Sequence, residues 1–258
     1  MMKKNKLVIL GVLSAVAQLS MLDSPPVTVD TATGTLKITF INTVKQQPLV
    51  LDSFTYTNPS NEEYTVTKFR YYISHIKLQP TTNAIAEKNS YHLVDARKPG
   101  SMSFSFPAAA GNYSGFSFLL GVDSLKNVSG AQSGALDPIN DMFWTWNTGY
   151  VMLKMEGNSP AANVMNNKVE YHIGGFKGDN NVLRNIKLPF NLTQQLKIAS
   201  GKTTELIIET DLDKMWQDPN TIKISATPVC TTPGLLARNI ADNYSKMFAV
   251  KTIINPQP

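Results

Sequence analysis

The sequence predicts an all-β fold: a β-sandwich of many short antiparallel strands closed by one C-terminal helix. Three observations carry this. Apolar and polar residues alternate with period two in several short runs. Gly, Pro, Asn and Asp break those runs. One helical stripe follows them near the C-terminus.

The runs come in order. In TLKITFI (Thr35 to Ile41), Leu36, Ile38 and Phe40 share one face. MSFSF (Met102 to Phe106) alternates apolar residues with serine. Phe116, Phe118, Leu120 and Val122 share a face in the next run. TELIIET (Thr204 to Thr210) and TIKISA (Thr221 to Ala226) extend the pattern. Such alternation marks strands with one face on a core. In YTVTKFRYYISHIKLQ (Tyr64 to Gln79) the apolar parity changes, from Tyr64 and Val66 to Phe69, Tyr71 and Ile73, then to Ile76 and Leu78. A parity change predicts a bulge or a switch between sheets, and a strand buried on both faces is the alternative. Thr232-Pro233 reads as a cap and first-turn proline for a helix carrying Leu236, Ile240, Tyr244 and Met247. A weaker helix is expected over Asp211 to Trp216.

The N-terminus has the layout of an export signal. MMKKNK precedes an apolar run from Leu7 to Ala17, with small residues at Ala15 and Ala17. The run is short for a membrane span. The expected organisation is a signal peptide over 1–17, a linker over 18–34 and a β domain over 35–256. Removing Lys3, Lys4 and Lys6, which stand among no acidic residues, lowers the net charge from +5 to +2. No basic stripe remains, so nucleic acid is not an expected partner. The single cysteine, Cys230, excludes an intrachain disulfide and a cysteine-only metal site. Periplasmic, secreted or cell-surface location is the expectation.

Catalytic templates do not appear. There is no GxSxG elbow, HExxH, P-loop or GxGxxG. The expectation is therefore a binding protein, not an enzyme. The residues open to ligand chemistry are few. Histidines are His75, His92 and His172. His75 shares the face of Phe69, Tyr71 and Ile73 if no bulge intervenes, which would make it a core histidine. His92 reads as solvent-facing. His172, in VEYHIGG, faces away from Val169, Tyr171 and Ile173. Trp144 and Trp146 stand two apart in FWTWNTGY, a spacing that puts both indoles on one strand face, where they fill a core or line a pocket. Met142, Met152 and Met155 lie nearby in sequence.

KFRYYISHIKL, then GVDSLKNVSGAQSGALDPINDMFWTWNTGYVMLKMEG, then YHIGG, with QQPLVL early and ARNIADNYSKMFAV late, together resemble the MbnP-like family of exported copper-binding proteins. The resemblance spans roughly Gly34 to Ile254. It implies an all-β fold and binding of copper, as Cu(I), for acquisition, storage or delivery. It also implies that a di-haem peroxidase of the MauG-like class oxidises a tryptophan to kynurenine, which joins histidines in holding the metal. Carried over, the tryptophan is Trp144 or Trp146 and the best-matched histidine is His172. The sequence departs from the pattern in having no histidine beside the tryptophan pair, and Asn42 where some relatives carry histidine. Soft donors suit Cu(I), so His75, Met152 and Met155 join the expected ligand set. The competing expectation is a non-metal binding module that recognises a glycan, peptide or protein partner through the tryptophan patch.

Overall fold

The computed structural model describes residues 32–79, 85–87, 90–130, 132–144, 149–191 and 193–257. The expected signal peptide and most of the linker lie outside the described residues. Thr33 and Gly34, read as linker, instead open the first strand.

Two large curled sheets form the body of the fold, with two small two-stranded sheets beside them, Gly111–Tyr113 with Leu196–Ile198 and Tyr56–Thr57 with Glu63–Tyr64. The first has the order Phe248–Ile254, Thr203–Asp211, Thr33–Val44, Gln47–Pro48, with Ser103–Ala109 also pairing with Thr33–Val44. The second runs Arg184–Pro189, Gly115–Leu120, Lys68–Gln79, Gly149–Asn158, Lys168–Gly174, Val229–Cys230. Phe143–Trp144 adds to it by pairing with Gly149–Asn158, and Tyr91–Asp95 by pairing with Lys68–Gln79. Pairing is antiparallel except at two places. Thr33–Val44 runs parallel to Thr203–Asp211, and Lys168–Gly174 parallel to Val229–Cys230. The fold is thus the expected set of many antiparallel strands, with these two parallel pairs added.

The core is where the alternation placed it. Leu36, Ile38, Phe40, Phe116, Phe118, Leu120, Leu206 and Ile208 are buried. The sheets meet through aromatic edges. Phe40 packs T-shaped on Tyr71 and Phe118, and Phe248 does the same on both. Edge-to-face pairs of this kind add to area burial because ring edges are positive and faces negative.

The parity change in the long run is a bulge. His75 adopts a left-handed backbone, φ 51°, and the register against Gly115–Leu120 shifts there. The extra residue turns His75 outward and returns Ile76 and Leu78 to the core. The core-histidine expectation for His75 fails for that reason.

Two other expectations are corrected. Thr221 to Ala226 is not a strand. Ile222 and Ile224 are buried, but the segment ends in a turn and finds no strand partner. The buried carboxylate of Glu62 holds it, accepting from Ile224 N, Ser225 N and Ser225 Oγ. The helix begins at Leu235, after Gly234, with no side-chain cap, so Thr232-Pro233 lies just outside it. Ala237, Ile240, Ala241 and Tyr244 bury its inner stripe, and the helix stops at Tyr244, so Met247, expected on the stripe, is buried in the turn that follows. The weaker helix is a 3-10 turn over Leu212–Trp216, where the Asp211 carboxylate accepts from Asp213 N. No described helix is long and apolar enough to cross a membrane.

Candidate functional site

The outer face of the second sheet carries a row of charge. Strand register sets Asp95, Arg70, Lys154 and His172 side by side across four strands. Lys68, Glu156 and Glu170 form the next row. These residues alternate with the core-facing Phe69, Tyr71, Met155 and Tyr171.

Opposite charges meet throughout. Arg70 Nε is 3.0 Å from Asp95 Oδ2. Lys154, almost fully buried, reaches Asp141 Oδ2 at 2.9 Å and donates to the Asp141 carbonyl. Lys68 Nζ lies 3.0 Å from Glu156 Oε2. His172 Nε2 donates to Glu156 Oε1 at 2.9 Å. That hydrogen bond is the largest influence holding the Glu156 carboxyl down to about 2; Lys68 assists and burial opposes. A histidine whose Nε2–H is fixed on a carboxylate keeps its lone pair on Nδ1, the arrangement that orients metal-ligating imidazoles.

Trp144 lies on the same face. Its ring covers Gly174, where an added Cβ would fall 2.4 Å from Cζ3. Gly174 and His172 are two apart on one strand, so they point the same way, with Cα atoms roughly 7 Å apart. Trp144 is 7% exposed. It stands in a hairpin with Gly149 and Tyr150. Trp146 lies outside the described residues. The hairpin is tied down by Asn127, a buried side chain whose Oδ1 accepts from Tyr150 N at 2.8 Å while Nδ2 donates to the Val122 and Asp123 carbonyls. Asp123 in turn caps the short helix Ser124–Val128, accepting from Leu125 N and Lys126 N. The GVDSLKN run thus braces the tryptophan hairpin.

A cavity of about 510 Å³ opens beside this hairpin. Trp144, Tyr150, Phe176, Lys177 and Pro233 are among its walls.

The structure brings Trp144 and His172 onto one face and does not bring the other expected ligands there. His75 sits at the bulge with half its side chain exposed, 3.7 Å from Asp123 Oδ2 and edge-on to Tyr91. Counting residues along the strand and strands across the sheet, it is roughly 15–20 Å from His172. Met155 is fully buried on the opposite, inner face, in register with Phe69 and Tyr171. Met152 is also buried, its Sδ accepting from Val122 N at 3.2 Å. The four-residue ligand set of His172, His75, Met152 and Met155 therefore does not converge. His92, expected to face solvent, stacks on Phe104 at 3.5 Å and contacts Glu87. Asn42 is buried under the first sheet, accepting from Tyr71 OH. Among the described residues no three His, Cys, Asp or Glu side chains cluster as metal ligands.

Glu156, Lys154, Asp141 and Asn127 are the site residues that sequence reading passed over. The only signal was parity: Lys154 and Glu156 alternate with Leu153 and Met155 in VMLKMEG, on the polar side where His172 also points.

Comparison with known proteins bears on the same stretch of chain. The MbnP family model matches residues 33–232. The chain belongs to the MbnP family. The solved structure of MbnP from Methylosinus trichosporium is similar in fold, with a TM-score of 0.54 at 15% identity, covering 84% of this chain and 98% of that one. Comparison with curated proteins returned no match. Family membership takes in the GVDSLKN brace, the tryptophan hairpin and the His172 strand, all of which lie within the matched residues.

Proposed function

We propose that this member of the MbnP family is an exported copper-binding protein that acquires, stores or delivers Cu(I), with no turnover of its own. The observation that carries the reading is the pairing of a carboxylate-oriented imidazole, His172, with Trp144 on one sheltered face of the sheet. Exported location, periplasmic or at the cell surface, follows from the N-terminal signal layout.

The donor chemistry defines what else is needed. Cu(I) favours imidazole and thioether donors. His172 Nδ1 offers one such donor, and the thioethers of Met152 and Met155 are committed to the core. An intact indole has no lone pair to give. Conversion of Trp144 to kynurenine, in which two equivalents of hydrogen peroxide open the C2–C3 bond of the indole and the C2 carbon leaves as formate with one water, supplies an aromatic amine and a ketone over Gly174, two positions along the strand from His172. The proposed partner for that oxidation is a di-haem peroxidase of the MauG-like class. In this reading copper is cargo and the oxidised Trp144 completes the site.

Two measurements test it. Intact and peptide mass of protein from its native host should show the conversion at Trp144. Cu(I) titration of that protein should give binding tighter than about 1 μM, weakened at least tenfold by His172→Ala. Weaker binding, or affinity indifferent to His172→Ala, overturns the reading.

The second reading is a non-metal binding module using the same face for a glycan, peptide or protein. The cavity beside Trp144 favours it. Indole fluorescence that responds to such a ligand and stays constant with Cu(I) would select it.

A further inference from the structure

The cavity beside the tryptophan hairpin has a charge and shape that copper binding does not use. Its volume, about 510 Å³, falls in the range of small-molecule sites. Trp144, Tyr150, Phe176 and Pro233 give it apolar walls. Val128, 60% exposed, stands at its rim, and Leu235, 62% exposed, follows Pro233. Asn127 contributes little free polarity, because its amide is spent on Val122, Asp123 and Tyr150.

The charged lining residue is Lys177. Its Nζ lies 5.0 Å from the centroid of the Phe176 ring. Among the described residues it makes no ion pair. Asp179, two residues on, is exposed and does not line the cavity. Aromatic walls alone would favour a cation over their faces. Here Lys177 already occupies the face of Phe176 and repels a second cation. What remains is a cavity with aromatic and proline walls on one part of its lining, Asn127, Asn180 and backbone on the rest, and one lysine without an ion-pair partner among the described residues.

We propose that this cavity binds a small organic anion, its planar apolar body against Trp144 and Pro233 and its carboxylate or sulfonate paired with Lys177. The ion pair gains strength from partial desolvation by the surrounding rings, and the apolar body gains from leaving water. The inference does not rest on the copper reading.

The test uses the full chain, freed of metal with a chelator, and two probes of similar shape and opposite charge, 2-naphthoate and 2-naphthylmethylammonium. Calorimetry should show naphthoate binding at least tenfold tighter than the ammonium. Lys177→Glu should weaken naphthoate at least tenfold, and Lys177→Arg should retain it. Lys177 is exposed, so both variants are expected to fold, which circular dichroism checks. Binding of neither probe, equal binding of both, or naphthoate affinity unchanged in Lys177→Glu overturns the proposal. Each of those results leaves the Cu(I) titration standing on its own.

Discussion

His172 and Glu156, sixteen residues apart in sequence, meet at 2.9 Å across neighbouring strands, and the same carboxylate meets Lys68 at 3.0 Å. One hydrogen-bonded carboxylate thus sets the imidazole's orientation and links it to the charged rows of the outer face.

The first prediction concerns acid. The Glu156 carboxyl is depressed from 4.5 to about 2 in the folded chain. A depressed carboxylate contributes stability that is present above its unfolded value and lost as pH falls through its folded value. Glu156 should therefore contribute fully near neutrality and lose its share between about pH 4.5 and 2. Solvent screening reduces that share to roughly 1–2 kcal/mol. Denaturant melts of wild type and Glu156→Gln should converge as pH falls through this window. A constant gap between them would contradict the assignment.

A second prediction separates the histidines. His75 stands at a bulge remote from His172, so His75→Ala should leave Cu(I) affinity at the wild-type value while His172→Ala lowers it at least tenfold. Parallel titrations of the two variants check this. Equal losses would mean that the two residues share a metal after all.

Gly174 tests the seat of the indole. Its alanine variant places a methyl 2.4 Å from the Trp144 ring and 2.9 Å from the Tyr150 carbonyl. Overpacking of this kind costs about 1–3 kcal/mol. Gly174→Ala should lose that much stability in urea and alter indole emission. Unchanged melting and emission would place the ring elsewhere.

Asn127 tests the brace. Its removal leaves the Tyr150 amide and two carbonyls without partners in a buried place. Asn127→Ala should cost about 1–3 kcal/mol, and Asn127→Asp should not restore it, because the carboxylate cannot donate to Val122 and Asp123. Chemical denaturation of the two variants measures the difference.

Much of the scaffold was legible because one face of each strand is dry. Leu36, Ile38 and Phe40 point into the core as their spacing dictates, and even the bulge at His75 is written in the shift from odd to even apolar positions. Thr221 to Ala226 misleads for a physical reason. Its alternation reflects burial of Ile222 and Ile224 beneath a loop anchored by Glu62, and burial can alternate without a neighbouring strand. The site was less legible. The outward direction of His172 follows from parity, but its partner Glu156 depends on register between strands, which pairing geometry decides and composition does not. Met152 and Met155 could serve as core or as ligand on sequence grounds alone, and a second bulge, between Val151 and Leu153, settles how the strand distributes them.

The parallel pairing of Thr35 with Thr203 joins the opening strand to one made near the end of synthesis. A nascent chain that stops short of Thr203 leaves that strand without its parallel neighbour, and Phe248–Ile254 must emerge before the neighbour itself is covered. Closure of this sheet is therefore a late event. Until the chain's tail arrives the opening strand lacks its parallel partner, and the first sheet stays open along that edge.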